Sequence, residues 1–438
     1  MNEKNTAPTR SGAGRIGARA AGLGAIVVAL VACGDNQENL SPSGGTTAAT
    51  ATPTTTTTGA GGGGGGQAAG GAGGSSAGGS SHGGGAGGGA AQVCLDPKGF
   101  EALFTIADGT LCAVARYEVD VVLGMDVPSW GRHGGPLTTG PGSQAGTVEL
   151  TRFAPPAGAT GTMGATKAEI APQIADPKAF LGLQALDLPF FEWTALSWTG
   201  AYPATQGELF FAKGAAVAAR YPVNGPYALA AVGAGGVGRV IYSGASRLDD
   251  AQASVNGLYA ADSCGASGSD PRLAPKGDGT CAAPVLVDAW GDASGPVAAD
   301  LEGNVFAVMT SFSGDQEARG WAGSAIARGA PAAKGDVLFT LPGFGSSLAA
   351  MAPGADGEGR IAFQPSDPTS FAPMDVVGQR FTVSGGHVAP QGAPAKLLGL
   401  GALGAQLTLM TDDAGRLWVG APDATGKTTF VVLASTTP

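Results

Sequence analysis

The sequence predicts a mainly β body assembled from repeated hairpins that stack as blades, and three observations lead there. Glycine supplies 77 of 438 residues and charged residues only 13%, a balance that favours short strands and turns over long charged helices. Four segments share one pattern: a strand, a glycine-containing turn, then Gly-Arg or Gly-Asn opening a second apolar strand. They run through Gly238-Arg239-Val240-Ile241-Tyr242, Gly303-Asn304-Val305-Phe306-Ala307, Gly359-Arg360-Ile361-Ala362-Phe363 and Gly415-Arg416-Leu417-Trp418-Val419-Gly420, the last three 56 and 56 residues apart. A second echo links Ala113–Asp120 with Val217–Asn224 at a spacing of 104, close to twice that period.

Each unit reads as a β-hairpin, because glycine supplies the positive φ of a tight turn and alternating apolar residues give each strand a buried face. A single hairpin is only marginally stable in water, so units of about 50 residues are expected to stack. Residues 93–438 then allow about six or seven blades. Further glycine turns at Gly109, Gly207 and Gly257 complicate the count, since Gly238 is out of phase with a 207–257–303 series. Two tandem β-sandwich domains are the alternative architecture. Asp412-Asp413-Ala414-Gly415-Arg416-Leu417-Trp418-Val419-Gly420 resembles a blade motif of bacterial β-propellers of the sensor-type and NHL-like class. Asp300-Leu301-Glu302-Gly303-Asn304-Val305-Phe306-Ala307 is similar to it. The resemblance rests on these two copies and implies a propeller.

The N-terminus sets the compartment. Lys4, Arg10, Arg15 and Arg19 precede an apolar run from Ala20 to Ala32. Thirteen residues are too few to span a bilayer, which takes about 20. A basic start, a short apolar core and small residues before a cleavage point make a secretory signal over 1–32. Leu30-Val31-Ala32-Cys33 resembles the processing box of bacterial lipoproteins. The resemblance implies cleavage before Cys33, diacylglycerol on its thiol and acylation of the new amine, hence an anchor of two or three chains, which holds stably. Gly34 in place of aspartate points to the outer membrane or cell surface. Residues 34–92, with threonine at 54–58 and glycine at 61–66, cannot bury apolar surface and read as a disordered tether. As a flexible chain they would span about 40–45 Å on average.

With Cys33 assigned to lipid, Cys94, Cys112, Cys264 and Cys281 remain. In an oxidising compartment an even number suggests disulfides. The separations of 18 and 17 residues favour two local loops, Cys94–Cys112 and Cys264–Cys281. Neither a CxxC pair nor a nearby histidine supports a metal site.

Charge narrows the partners. The first 32 residues hold four of the 24 basic and one of the 34 acidic residues, so the remainder has 20 against 33, a net −13. An acidic body without a basic run argues against nucleic acid and against direct adhesion to anionic lipid. Two GxGxxG spacings, Gly12–Gly17 and Gly233–Gly238, arise easily at this glycine content. The second leads into β-branched Arg239–Ser246, where a dinucleotide site would need a helix. Residues 421–428 fit a loose phosphate-loop pattern around Gly426-Lys427-Thr428, but a strand-like end leaves no room for the phosphate-binding helix. No nucleotide, cofactor or metal is expected.

Candidate chemistry is sparse. HExxH, GxSxG and EF-hand spacings are missing. His82 lies in the tether, and His133 and His387 sit far apart in loops. Phe190-Phe191-Glu192-Trp193 with Trp198 could stack on sugar rings with Glu192 as an acid, although such clusters are more often packing. Asp412-Asp413 and Asp249-Asp250 could hold Ca²⁺, although paired turn aspartates commonly cap hairpins. No catalytic residue is assigned. The expectation is a surface-tethered, non-enzymatic binding module for a protein or glycan. The alternative is an exported hydrolase or lyase with its site at a propeller mouth.

Overall fold

The computed structural model describes residues 93–120, 129–131, 134–144, 146–171, 180–187, 193–200, 206–232, 239–246, 255–262, 285–289, 295–310, 315–327, 330–353, 357–423, 425 and 427–436. Cys33, His82, the signal and the tether therefore lie outside the described residues, as do Cys264 and Cys281. Strands dominate, and the helical pieces among the described residues are the single turns Pro97–Gly99 and Gly323–Ile326.

Strand pairing resolves into six four-stranded antiparallel blades. Blade 1 runs Ser129–Gly131, Gly135–Pro141, Val148–Ala154, Gly164–Ile170. A seven-stranded sheet follows, but its central 17-residue strand Ala216–Val232 pairs with Gln206–Lys213 up to Asn224 and with Arg239–Ser246 at Asn224 and, after a register shift, from Ala228 onward. That strand therefore closes blade 2 (Phe180–Asp187, Trp193–Gly200, Gln206–Lys213) and opens blade 3 (Arg239–Ser246, Val255–Asp262, Val285–Ala289). Blade 4 is Val297–Ala299, Val305–Thr310, Asp315–Trp321, Asp336–Pro342, and blade 5 is Phe344–Met351, Gly359–Ser366, Val376–Ser384, His387–Leu400. Blade 6 takes three strands from the C-terminal end, Thr408–Thr411, Leu417–Pro422 and Thr428–Ser435, and its outer strand, Leu111–Val119, from the start of the body.

The first strand of each blade packs against the first strand of the next, and that of blade 6 against that of blade 1. The result is a closed six-bladed ring, which excludes tandem sandwiches and fixes the count at the lower of the two expected numbers. The repeats now have places. Gly238, Gly303 and Gly415 fall between the first and second strands of blades 3, 4 and 6 and Gly359 opens the second strand of blade 5, whereas Gly207 and Gly257 lie on third strands. The apparent phase conflict mixed two positions of the blade. The 104-residue echo joins the outermost strands of blades 6 and 2, two blades apart around the ring.

The core lies between blades. Along Val305–Thr310 successive side chains point to opposite faces, so Val305, Ala307 and Met309 pack with Ile241, Leu258 and Val287 of blade 3. Phe306 and Val308 pack instead with Leu348, Ile361 and Phe363 of blade 5. Both faces are buried, and the strand is accordingly apolar throughout. The same division recurs in blade 6, where Leu417 and Val419 face blade 5 while Trp418 and Phe430 face blade 1. At that seam Trp418 stacks on Tyr117 at 5.5 Å and meets Trp130 edge-on at 4.9 Å.

Two further strands cover blade edges. Phe104–Ile106 pairs outside His387–Leu400, and Thr160–Thr162, from the last connection of blade 1, pairs in parallel outside Leu111–Val119. The expected Cys94–Cys112 disulfide is present, with Cα atoms 5.6 Å apart, and Leu95 N–H donates to the Ala113 carbonyl at 2.7 Å. It pins the start of the body to the strand that closes the ring. Cys94→Ser and Cys112→Ser are each expected to lower stability by about 2–4 kcal/mol in urea melts, with the double variant no worse than either single one. Additive losses would show that the two thiols are not linked.

Candidate functional site

The repeated turns show what their shared residues do. Asp412 Oδ1 accepts from the Ala414 and Arg416 amides at 3.0 and 2.8 Å, and Oδ2 accepts from Arg416 Nε at 2.7 Å and Trp418 Nε1 at 3.0 Å. Asp300 repeats this: Oδ1 accepts from the Glu302 and Asn304 amides at 3.0 and 2.9 Å, and Oδ2 from Asn304 Nδ2 at 2.8 Å. The turn glycines hold φ at 83° (Gly303) and 73° (Gly415), the left-handed region that favours glycine. The blade 5 copy differs, because its positive φ of 74° falls on Gly357 and Gly359 already belongs to the strand. Asp412 is 2% exposed with both oxygens engaged, so it caps a hairpin and is not arranged as a cation ligand.

The residue after the turn glycine ties one element to another. Arg239 donates to the Ile326 carbonyl of blade 4, Asn304 Oδ1 accepts from the Gly323 amide at 3.0 Å, and Arg360 Nη1 reaches Asp108 Oδ2 at 2.8 Å. Burial would raise the Asp108 carboxyl, but the Thr110 hydroxyl and amide and the Arg360 guanidinium together hold it below its ordinary value. At Asp300 burial wins over the Asn304 bonds, with Glu302 adding to it, and the carboxyl is raised from 3.8 to about 6. Burial, with Asp412 beside it, also raises Asp413.

The remaining candidates do not converge. Gly233–Gly238 falls outside the described residues, but the strands on either side pair antiparallel, Leu229 opposite Tyr242 and Val232 opposite Arg239, where a dinucleotide site needs strand, turn and helix. Residues 421–428 join the second and third strands of blade 6. Asp423 Oδ1 caps the turn by accepting from the Thr425 and Lys427 amides, and Lys427 Nζ meets Asp120 Oδ1 at 2.5 Å. His387 is exposed, its Nδ1 3.2 Å from Asp336 Oδ1. His133, Phe190, Phe191, Glu192, Asp249 and Asp250 lie outside the described residues. Trp193 and Trp198 belong to the second strand of blade 2, Trp198 in register with Leu183 and Glu208. Among the described residues no three His, Cys, Asp or Glu side chains gather as a metal site.

Two buried ion pairs escape sequence reasoning because they join residues far apart. Arg152 of blade 1 forks onto Asp187 of blade 2, Nε to Oδ2 at 2.9 Å and Nη2 to Oδ1 at 2.8 Å, while Nη2 also reaches Thr194 Oγ1 at 3.0 Å. The bonds from Asp187 raise the guanidinium further, against the effect of burial. Arg319 of blade 4 donates to Asp288 Oδ2 of blade 3 at 3.1 Å, and the Gly335 amide donates to the same oxygen at 2.9 Å. Both pairs fasten neighbouring blades. A cavity of about 70 Å³ beside Arg239, Val287, Ile326 and Pro331 has room for a water or two, well below the roughly 300–1,000 Å³ of ligand pockets.

The loops thus divide between two faces of the ring. One carries the capped turns from first to second strand and the links from third to fourth. The other carries the loops from second to third strand and the crossovers between blades. On this crossover face, residues 367–375 of blade 5 form a braced projection. Asp367 Oδ1 accepts from the Thr369 and Ser370 amides at 2.9 and 2.7 Å, and the Asp367 amide donates to the Ala372 carbonyl at 2.8 Å. The buried Gln364 side chain donates to the Met374 carbonyl and accepts from the Leu407 amide of the next crossover. The loop displays Phe371, 54% exposed, at a φ of 58° that non-glycine residues rarely adopt.

No family model and no curated protein matches the chain. Among solved structures, a glucose dehydrogenase aligns at 13% identity and TM-score 0.40, over 74% of this chain and 99% of its own. A lectin variant from Aleuria aurantia, solved with α-methyl-L-fucoside, aligns at 10% and 0.36, over 76% and 98%. The Dos1 propeller aligns at 9% and 0.36, over 70% and 67%. Similarity at this level carries no argument about ligand or chemistry, and the six-bladed arrangement rests on the strand pairing itself.

Two outcomes test these ties. Arg152→Met, which leaves a buried carboxylate without its guanidinium, is expected to lower stability by about 3–5 kcal/mol, and adding Asp187→Leu to restore most of it. For Asp300 the folded chain holds its proton more tightly than the unfolded chain. Its stabilising contribution is therefore fully present below about pH 4 and lost as pH rises through about 6. Urea melts from pH 4.5 to 7.5 should show this slope in the wild type and a flatter curve in Asp300→Asn.

Proposed function

We propose that this chain is a lipid-anchored binding protein of the bacterial cell envelope, at the outer membrane or cell surface. On this reading Cys33 carries the anchor, residues 34–92 are the spacer, and the propeller engages a protein or glycan partner through its loops. The observation that carries the binding reading is the state of the motif carboxylates. Asp412 and Asp300, the residues on which a hydrolytic or cation-dependent site would draw first, each accept three or more hydrogen bonds within their own turns. Their chemistry is absorbed by the fold. The loops remain as the part of the molecule that can vary without disturbing a blade, which is where recognition is carried on rigid scaffolds.

Two measurements test the proposal. Metabolic labelling with a fatty acid is expected to mark the wild type and not Cys33→Ala, and equal labelling of both would remove the anchor. Purified full-length protein is expected to show no turnover on broad glycosidase, esterase, peptidase and polysaccharide-lyase panels. Robust turnover would replace the binding reading with that of an exported enzyme.

A further inference from the structure

A propeller brings the outer strand of every blade to its rim, where a free row of backbone amides and carbonyls can take up another strand. Among the described residues, five of the six rims are interrupted or covered. Blade 2 carries Pro222 in its outer strand and a register shift opposite Phe211 and Ala212. In blade 3 the Ala333 amide donates to the Val287 carbonyl of the outer strand at 2.8 Å. Blade 4 has a register shift between Val337 and Phe339, and Pro342 closes its outer strand. Blade 5 has Pro390 and Pro394, with Phe104–Ile106 over its far end, and Thr160–Thr162 covers blade 6.

The outer strand of blade 1, Gly164–Ile170, has none of these devices. It ends its sheet, and among the described residues no strand pairs with its outer edge. It pairs with Val148–Ala154 through seven residues without a shift and contains no proline. Gly164 through Ala168 are all exposed. Successive side chains point to opposite faces, so both faces of this strand stand clear of the neighbouring blades. Gly164, Ala165, Thr166 and Ala168 are small and leave the backbone open to approach. Lys167 is the one residue that would repel an incoming strand. It turns back across the sheet, with Nζ 2.8 Å from Glu149 Oε1.

Charge then selects a partner and a register. The body is net −13 once residues 1–32 are set aside, so most of its surface repels a second copy, but Lys167 and Glu169 leave this strand neutral. Two apart, they share a face with Glu149, which stands opposite Glu169. An antiparallel pairing of two copies centred on Ala168 puts Lys167 of each opposite Glu169 of the other. Centred on Lys167 or on Glu169, it would set like charges face to face, which is unfavourable. An ammonium has three donors, so the new contact adds to the exposed Glu149 pair without replacing it. Glu169 Oε1 accepts from the Ser143 amide at 2.6 Å, and a carboxylate has further acceptor sites for a lysine.

We propose that Gly164–Ile170 is the pairing edge of a homodimer, in which blade 1 continues antiparallel into blade 1 of a second copy about a two-fold axis at Ala168. Such an interface is self-complementary, as two-fold symmetry requires. It depends on the fold alone and is independent of the lipid anchor and of what the loops bind.

The test uses the full chain carrying Cys33→Ala, so that no lipid brings copies together. Sedimentation velocity from about 1 to 200 μM is expected to show a monomer–dimer equilibrium. Lys167→Glu, which sets carboxylates opposite each other, should weaken it by about tenfold. Adding Glu169→Lys restores opposite charges in the same register and should recover the wild-type constant to within about threefold. Ala168→Cys should give a disulfide-linked dimer with copper phenanthroline, because that register places the two Cα atoms about 4.5–5.5 Å apart. Thr166→Cys, whose two copies would lie about 13 Å apart along the strands, should not. A monomer at every concentration would overturn the proposal. So would a dimer that ignores Lys167→Glu, a dimer that the paired exchange fails to recover, or equal cross-linking at positions 166 and 168.

Discussion

Every blade of this propeller is a sheet with two apolar faces, and that constraint governs the rest of the structure. A sheet such as that of Val305–Thr310 cannot present either face to water, so it is stable only between two neighbours. An open row of such sheets would leave its first and last members half exposed. Closure of the ring removes that exposure, and the strands that achieve it are drawn from opposite ends of the body. Leu111–Val119 completes a blade whose other strands begin about 300 residues later in the chain. The aromatic seam of Tyr117, Trp130 and Trp418 and the parallel strand Thr160–Thr162 both lie at this joint.

Polar chemistry in the body is arranged around the same need. A blade edge ends in turns whose amides must find acceptors, and Asp300, Asp412 and Asp423 supply them from within the turn. Where charge is buried between blades it is matched across the joint, Arg152 with Asp187 and Arg319 with Asp288. Breaking such a pair is costly, although replacing both partners with an apolar pair of similar volume often is not.

Legibility in the sequence follows from how local each demand is. A turn that requires aspartate at its start and glycine three residues on leaves a fixed spelling, which is why the blade 4 and blade 6 copies were readable. The outer-strand echo was readable for the same reason, since Ala113–Asp120 and Val217–Asn224 both run along the outer edge of a blade. Glycines at 207 and 257 confused the count because glycine serves third strands as well as turns, and at Gly257 an added Cβ would lie 2.3 Å from the Asp288 carbonyl oxygen. Blade 1 left little trace, its first strand being only Ser129–Gly131. The inter-blade ion pairs and Phe371 were invisible. The former join residues 31 and 35 positions apart without any local rule, and nothing in Ser370-Phe371-Ala372 announces a left-handed backbone.

The disulfide near the start of the body has a mechanical meaning. A pull delivered from the chain before Val93 reaches Cys94 and passes through the sulfur bridge to Cys112, one residue into the ring-closing strand. Residues 95–111, including the strand over blade 5, are bypassed and carry none of the load. The force is borne by the hydrogen-bond ladder between Leu111–Val119 and Thr428–Ser435. Reduction of the bridge would reroute the same pull through the Phe104–Ile106 edge strand and make that the first element to peel. The oxidised body resists traction at its joint, and the reduced body yields at its rim.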